Sequence, residues 1–215
     1  MYMPPKFEEK DLQVLHRAIA DAPFGALIAA APDGLEANHL PFQLVPDRGP
    51  FGTLRCHVAR ANPLWRQASA GPLDGLVIFQ GPSTYISPSL YQTKQETHQV
   101  VPTYNYVAIH AHGRIAVHDD ARWLRALLAQ LTQRYESGRG QPWKMGDAPA
   151  DFLDERLKEI VGIEIEITRI EGKWKMSQNR APADQAGVIA GLRNSADPAD
   201  QAVAAIVEQR AQQQQ

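Results

Sequence analysis

An alternation of isoleucine with polar residues, in the segment GIEIEIT at positions 162–168, constrains the fold more than any other feature. Successive side chains of a β-strand point to opposite faces, so this segment predicts a strand with one buried and one wet face. The segment at 53–58 alternates in the same way and predicts Leu54, Cys56 and Val58 in the core. Both segments leave a polar face for solvent, a ligand or a partner subunit.

Further strand-like segments, separated by turn signals, fill much of the chain: 24–31, 35–45, 74–87 and 103–119. Asp33-Gly34 between two apolar runs is a hairpin signal. Helices are predicted at 8–21, at 150–160 and after a cap at Asp119 or Asp120. The apolar stripe of this last helix consists of Trp123, Leu127, Leu128 and Leu131. Many short antiparallel strands with few helices predict a β-barrel or sandwich in an α+β setting.

Composition excludes several classes of protein. The 215 residues carry 22 basic and 24 acidic side chains, a formal net charge of −2, which gives no global attraction to nucleic acid or membrane. The single cysteine, Cys56, cannot form a disulfide within the chain and is predicted as a buried core residue. The first ten residues do not resemble a signal peptide, and no apolar run is long enough to span a bilayer. We expect a cytoplasmic protein without a membrane partner.

A first candidate site lies in the segment HVARANPLWR, residues 57–66, where a strand ends in His, Arg and Asn. Arg60 and Asn62 could bind a phosphate there, because a guanidinium forms charge-assisted hydrogen bonds with anions. The same residues also suit a structural or solvated turn, and the sequence leaves both readings open.

Two further polar segments follow strands. In GPSTYISPSLYQTK, Ser83, Tyr85 and Ser87 share one strand face, and Lys94 comes next. This set suits an anionic ligand or an ordinary polar loop. The segment KMSQNR closes the last long strand and offers Gln178 and Arg180 as hydrogen-bond donors.

Other motifs of catalysis are missing from the sequence. His110 and His112 share a strand face, and His118 could be a third ligand only if a turn at Gly113 brings it to the same side, so no metal is predicted. Glycine-rich phosphate loops, the G-x-S-x-G elbow and the H-E-x-x-H motif do not occur, and no carboxylate pair stands out for acid–base chemistry. Hydrolase functions are therefore disfavoured.

Several segments together resemble the PaiB-type family of FMN-binding negative transcriptional regulators. They are MYMPPKFEE, HVARANPLW, IFQGPSTYISPS, VPTYNYVAIHAHG, PWKMGDAP, IVGIEIEI, EGKWKMSQNR and DQAGVIAGL. The resemblance implies a mainly β, α+β fold, the six-stranded antiparallel Greek-key FMN-binding split barrel with peripheral helices. It also implies one domain over residues 1–195, followed by a helical or disordered tail over 196–215. Two subunits are expected to pair, with FMN in the grooves between them.

The resemblance also implies which residues bind the cofactor. Arg60 and Asn62 would face the phosphate, and His57 the ribityl chain or the ring. The groove would be lined by Tyr85, Ser87, Lys94, Thr103 and Asn105, and the other subunit would supply Gln178 and Arg180. Trp65 would either pack on the edge of the flavin ring or anchor the turn, and the anchor role is favoured. The family usually has Trp where this chain has Leu90 and Tyr104.

Three functions are compatible with this resemblance. The first is a flavin-binding regulator of transcription, although no helix-turn-helix is evident and DNA enters only through the family name. The second is an FMN-dependent oxidoreductase like the flavin reductases, in which the cofactor supplies the chemistry and no catalytic residue is predicted. The third is a carrier of flavin or tetrapyrrole without turnover.

Overall fold

The computed structural model describes residues 1–31 and 34–213, so Asp33 of the predicted hairpin lies outside the described residues. The chain divides into two compact units. The terminal unit consists of Met1–Leu15, Gln80–Ile109 and Glu171–Gln215, and the central unit of His16–Phe79 and His110–Ile170. The predicted domain boundary at residue 195 stays a prediction.

The strands of the described residues are β1 (Glu8–Glu9), β2 (Phe24–Ala31), β3 (Gly34–Pro41), β4 (Gln43–Val45), β5 (Thr53–Ala59), β6 (Asp74–Ile86), β7 (Thr103–His118) and β8 (Ile160–Lys175). The helices are α1 (Leu12–Asp21), α2 (Leu64–Ala70), α3 (Gln92–Thr97), α4 (Ala121–Glu136), α5 (Ala150–Leu157), α6 (Pro182–Arg193) and α7 (Pro198–Gln212). Helix α7 occupies most of the tail that was predicted to be helical or disordered. Among the described helices, none is both long and apolar enough to cross a lipid bilayer.

The described strands form an open sheet of eight strands, so the prediction of six was wrong. Their order is β3-β2-β6-β7-β8-β5-β4, with β1 paired to β8. Strands β1 and β4 have only two and three residues, too few for an alternation to appear in a sequence. Strand β4 separates from β3 at Phe42, whose buried ring and N–H···O bond to Pro23 (2.8 Å) interrupt the segment read as one strand. The predicted mainly β antiparallel fold with helices is confirmed.

In the central unit the apolar faces predicted for β5 and β8 are confirmed, whereas Glu164 of the face predicted to be wet is buried. The two strands pair antiparallel from Thr53↔Glu166 to Ala59↔Ile160, and their apolar residues are buried. Cys56 is completely buried, and burial raises the pKa of its thiol, so it is a core residue as predicted. On the polar face Glu164 accepts bonds from Arg48 (2.8 Å) and Arg55 (2.9 Å).

Helix α4 of the central unit begins as the sequence predicts. The Asp120 carboxylate accepts the N–H of Trp123 at 2.7 Å and satisfies one of the free donors of the first turn. Its most buried residues are Leu124, Leu127 and Leu131, whereas Leu128 of the predicted stripe is half-buried.

In the terminal unit two glycines of α6 allow a close approach. A Cβ atom at Gly187 would lie 2.1 Å from the Leu90 carbonyl oxygen, and one at Gly191 would lie 2.4 Å from Leu90 Cδ2. Leu90 therefore packs closely against α6 at two glycines, which have no side chain to keep it away. Helix α7 is held in the same unit by a hydrogen bond from Thr84 to Asp200 and by the ion pair of Arg210 with Glu9.

Candidate functional site

The predicted site residues fall into two groups. His57, Arg60 and Asn62 belong to the central unit. The other seven, Tyr85, Ser87, Lys94, Thr103, Asn105, Gln178 and Arg180, belong to the terminal unit.

Arg60 of the central unit is bound to a carboxylate. Its guanidinium donates to Asp119 from Nη1 (2.9 Å) and Nη2 (2.5 Å), and to the carbonyls of Lys158 (2.5 Å) and Ile160 (3.1 Å). The hydrogen bond and charge of Arg60 hold the pKa of Asp119 below its usual range. A phosphate would have to compete with Asp119 for this guanidinium, and the phosphate role of Arg60 stays a prediction.

Asn62 and Trp65 stabilise the turn after β5. The Asn62 side chain accepts the N–H of Leu64 at 2.9 Å and donates to Asn38 at 2.6 Å, an arrangement typical of an Asx turn. The Trp65 indole donates to the Arg60 carbonyl at 2.9 Å, which confirms its predicted role as an anchor.

His57 is the third candidate of the central unit. Its Nδ1 atom is buried and has no hydrogen-bond partner among the described residues. Burial lowers the pKa of the imidazole, so the ring is neutral at pH 7.

Two exposed tyrosine rings and a buried lysine, Lys173, belong to the terminal unit. The rings of Tyr85 and Tyr104 meet edge to face at 5.9 Å and are 49% and 58% exposed. The Lys173 ammonium lies 5.4 Å from the ring centre of Tyr106 and donates to the Tyr2 carbonyl at 3.0 Å. We call this surface the tyrosine–lysine face; it comprises Tyr85, Tyr104, Tyr106, Lys173 and Lys175.

Lys175 has the most unusual electrostatic environment of this face. Its ammonium donates to the Thr103 hydroxyl and, at 2.7 Å, to the Tyr104 carbonyl. Burial, and then the positive charges of Lys173 and Arg180, lower its pKa. Among the described residues, none of these three cations forms an ion pair with a carboxylate. An added anion would therefore reduce this repulsion without having to displace a carboxylate.

Lys173 and Lys175 were missed as site residues in the sequence. Their signal was the K-W-K alternation at 173–175, because the buried Trp174 directs both lysines to the opposite strand face. Of the predicted residues, Thr103 contacts Lys175, and the Arg180 guanidinium lies 4.5 Å from the ring centre of Tyr91.

The remaining four predicted residues lie within the terminal unit. Asn105 is 1% exposed and donates to the hydroxyl of Ser177, whose φ is +62°. Gln178 bonds to the main chain of Met176 and Trp174, both at 2.6 Å. Ser87 accepts the N–H of Ser89 at 3.2 Å, and Lys94 lies half-buried in α3. The cofactor contacts of these four residues stay predictions.

Comparison with known proteins decides the family. The family described as "Putative FMN-binding domain" matches residues 1–169. The chain belongs to this family. A protein of Bacillus subtilis named protease synthase and sporulation protein PAI 2 is 30% identical over the full length of both chains. An uncharacterized protein of Emericella nidulans is 33% identical over 98% of this chain and 97% of that protein. The predicted PaiB-type family and its cofactor, FMN, are confirmed.

A solved structure supports the fold. The FAD and heme binding protein of Mycobacterium smegmatis has a TM-score of 0.61 at 15% identity, and the match covers 83% of this chain and 78% of that chain. At this identity the likeness concerns the fold alone. The family match ends at residue 169, before Lys173 and Lys175, whereas the two full-length relatives align beyond that point.

Proposed function

We propose that the protein binds FMN on the tyrosine–lysine face, with Lys175 as the main phosphate ligand. The observation that carries this proposal is the cluster of Lys173, Lys175 and Arg180 without a carboxylate partner among the described residues. A flavin phosphate carries close to two negative charges at neutral pH and accepts several hydrogen bonds. The ammonium of Lys175 and the hydroxyl of Thr103 supply suitable donors.

The exposed tyrosine rings of the tyrosine–lysine face suit the isoalloxazine ring of FMN. Tyr85 and Tyr104 expose large ring surfaces to water, and aromatic rings favour offset or edge-to-face contact with another ring system. The isoalloxazine ring of FMN would cover these side chains. When bound, FMN supplies electron-transfer chemistry; the residues of the face bind and orient it.

A titration of FMN into the protein tests this proposal. We expect saturable quenching of flavin fluorescence by the wild-type protein and clearly weaker binding by Lys175→Gln. Mass spectrometry of the native protein provides an independent measurement, with a mass increment of one FMN per chain. Failure of the wild-type protein to take up FMN would refute the proposal.

We further propose a homodimer in which the flavin lies at the subunit interface. The exposed rings of Tyr2, Tyr85 and Tyr104 support a covered surface, since large aromatic side chains are enriched in interfaces. Light scattering coupled to size-exclusion chromatography measures the mass directly. A single-chain mass at every concentration would contradict the dimer.

For the cellular role we propose a flavin-binding regulator of transcription. The support is the full-length relative in Bacillus subtilis, whose name refers to protease synthesis and sporulation. Sequence-specific and salt-sensitive retardation of promoter DNA is the expected result. No retardation at low salt would count against direct repression.

An FMN-dependent oxidoreductase is the second candidate, because bound FMN can supply electron transfer without an acid or base from the protein. Bleaching of the flavin by a reduced nicotinamide, followed by turnover with an acceptor, would favour this function over the regulator.

We propose a cytoplasmic location as well. Cys56 is the single cysteine of the sequence and is buried as a free thiol, which is common in a reducing compartment. Cell fractionation with an antibody against the protein checks this location.

A further inference from the structure

A cavity of about 340 Å³ lies in the central unit beside helix α4. Its walls include His57, Leu128, Leu131, Tyr135 and Trp143. A second cavity of about 400 Å³ shares Trp143 with the first. Both volumes fall in the range of small-molecule sites, roughly 300–1,000 Å³.

The loop that forms one wall is held in place by hydrogen bonds. The N–H of Trp143 donates to the Glu136 carboxylate at 3.0 Å, and that of Lys144 donates to Asp147 at 2.8 Å. Arg139 donates from Nε to the carbonyl of Tyr135 at 3.2 Å. These bonds tie the loop to the end of α4, so the indole is part of a preformed wall.

The aromatic walls of the cavity are strongly exposed. Trp143 is 45% exposed and Tyr135 is 44% exposed, although both contact the same cavity. Exposed apolar surface of this kind is typical of a binding site, because burying it against a ligand is favourable. Two aromatic side chains favour a flat aromatic ligand.

The buried Nδ1 of His57 lacks a hydrogen-bond partner among the described residues, and His57 lines this cavity. Buried polar atoms in proteins are nearly always paired, because an unpaired one loses its bond to water without compensation. A neutral imidazole has one donor and one acceptor nitrogen. A ligand with a hydroxyl, amide or ring N–H group would satisfy such a ring.

The charge of the cavity argues against an anion. Of the described residues that line the 340 Å³ cavity, Glu136 is the one carboxylate, and no lysine or arginine is among them. Glu136 already accepts the N–H of Trp143 and pairs with Arg139 at 3.4 Å. A carboxylate or phosphate group would therefore find no cation among these lining residues to offset its loss of hydration.

We propose that this cavity binds a neutral planar aromatic compound that carries one hydrogen-bonding group. Trp143 and Tyr135 contact the ring, and His57 pairs with the polar group. The site lies within the central unit, whereas the proposed FMN site lies within the terminal unit. It uses His57, which the family resemblance had assigned to FMN.

Calorimetric titration with 2-naphthol, using the wild-type protein, tests the proposal. Saturable binding of one naphthol per chain is expected, with weaker binding of the anion 2-naphthoate. Trp143→Ala should weaken naphthol binding at least about tenfold, because aromatic anchors dominate binding energies. Phe152→Ala is the matched control: Phe152 is another exposed aromatic of this unit, 53% exposed, and it lines neither cavity.

The His57→Leu variant tests the polar contact. It should weaken naphthol binding roughly two- to tenfold and leave naphthalene binding unchanged, because one hydrogen bond is lost. His57→Gln serves as a second variant if the leucine variant melts at a much lower temperature. The proposal is overturned if no naphthol binds saturably, if Trp143→Ala binds like the wild-type protein, or if FMN displaces naphthol.

Discussion

The two units of the molecule place basic side chains beside aromatic rings in different electrostatic environments. In the central unit Arg60 lies 5.7 Å from the ring centre of Trp65 and is bound to Asp119. In the terminal unit Arg180 lies 4.5 Å from the ring centre of Tyr91, and its charge repels Lys175. The comparison indicates that cations without a carboxylate partner among the described residues are better placed to bind an added anion than the ion-paired Arg60.

The largest expected effect is that of Lys175→Gln on FMN binding. Loss of a hydrogen bond from a charged donor is worth about 1.5–3 kcal/mol, so affinity should fall roughly tenfold to a hundredfold. Fluorescence titration measures this change. Lys10→Gln is the control: Lys10 is an exposed lysine of the same unit, ion-paired with Glu8, and its variant should bind FMN normally.

The pH dependence of FMN binding gives a second test of the role of Lys175 as a phosphate ligand. Because the pKa of Lys175 is lowered, its charge is lost at a lower pH than that of an ordinary lysine. FMN affinity should therefore fall as pH rises through this pKa, and Lys175→Gln should show no such fall. In the absence of FMN the unfolded chain binds this proton more tightly, so the contribution of Lys175 to stability increases with pH in the same range.

Thr103→Val tests the second donor of the proposed phosphate site. The hydroxyl accepts a bond from Lys175 and can donate to a phosphate oxygen, so its loss should weaken FMN binding roughly two- to tenfold. Equal binding by the variant and the wild-type protein, measured by the same titration, would place the phosphate away from β7.

The smallest expected effect is that of Arg60→Gln. FMN affinity should stay within about twofold, and the free energy of unfolding should decrease by about 1 kcal/mol or less, because partly exposed ion pairs contribute little. Urea denaturation and FMN titration measure the two quantities. Asp119→Asn removes the other partner of the pair. A loss of FMN affinity with Arg60→Gln larger than with Lys175→Gln would reverse the comparison.

Local patterns in the sequence predicted much of the fold. Alternation identified β5 and β8, and a helical stripe with an aspartate cap identified α4. The anchor role of Trp65 also followed from its place in a turn. Strands β1 and β4 were not predicted, because two or three residues are too few to show the alternation of buried and exposed side chains that marks a strand.

The candidate site was harder to predict than the fold. The sequence places Arg60 at a strand end, but its carboxylate partner lies 59 positions away, and no periodic pattern connects the two. Lys175 was overlooked because its environment depends on how other segments fold around it. Strand β7 brings the Thr103 hydroxyl next to its ammonium, and the turn at 177–180 brings the charge of Arg180 near it. Residue type suggests the chemistry, whereas the presence of a counter-ion is a property of the folded chain.

The affinities of FMN and riboflavin, compared in the wild-type protein and in the Lys175→Gln and Arg60→Gln variants, test the central claim most directly. Riboflavin lacks the phosphate, so the ratio of the two affinities isolates the phosphate contact. We expect the wild-type preference for FMN to persist in Arg60→Gln and to disappear in Lys175→Gln. A preference that disappears in Arg60→Gln and persists in Lys175→Gln would contradict the account.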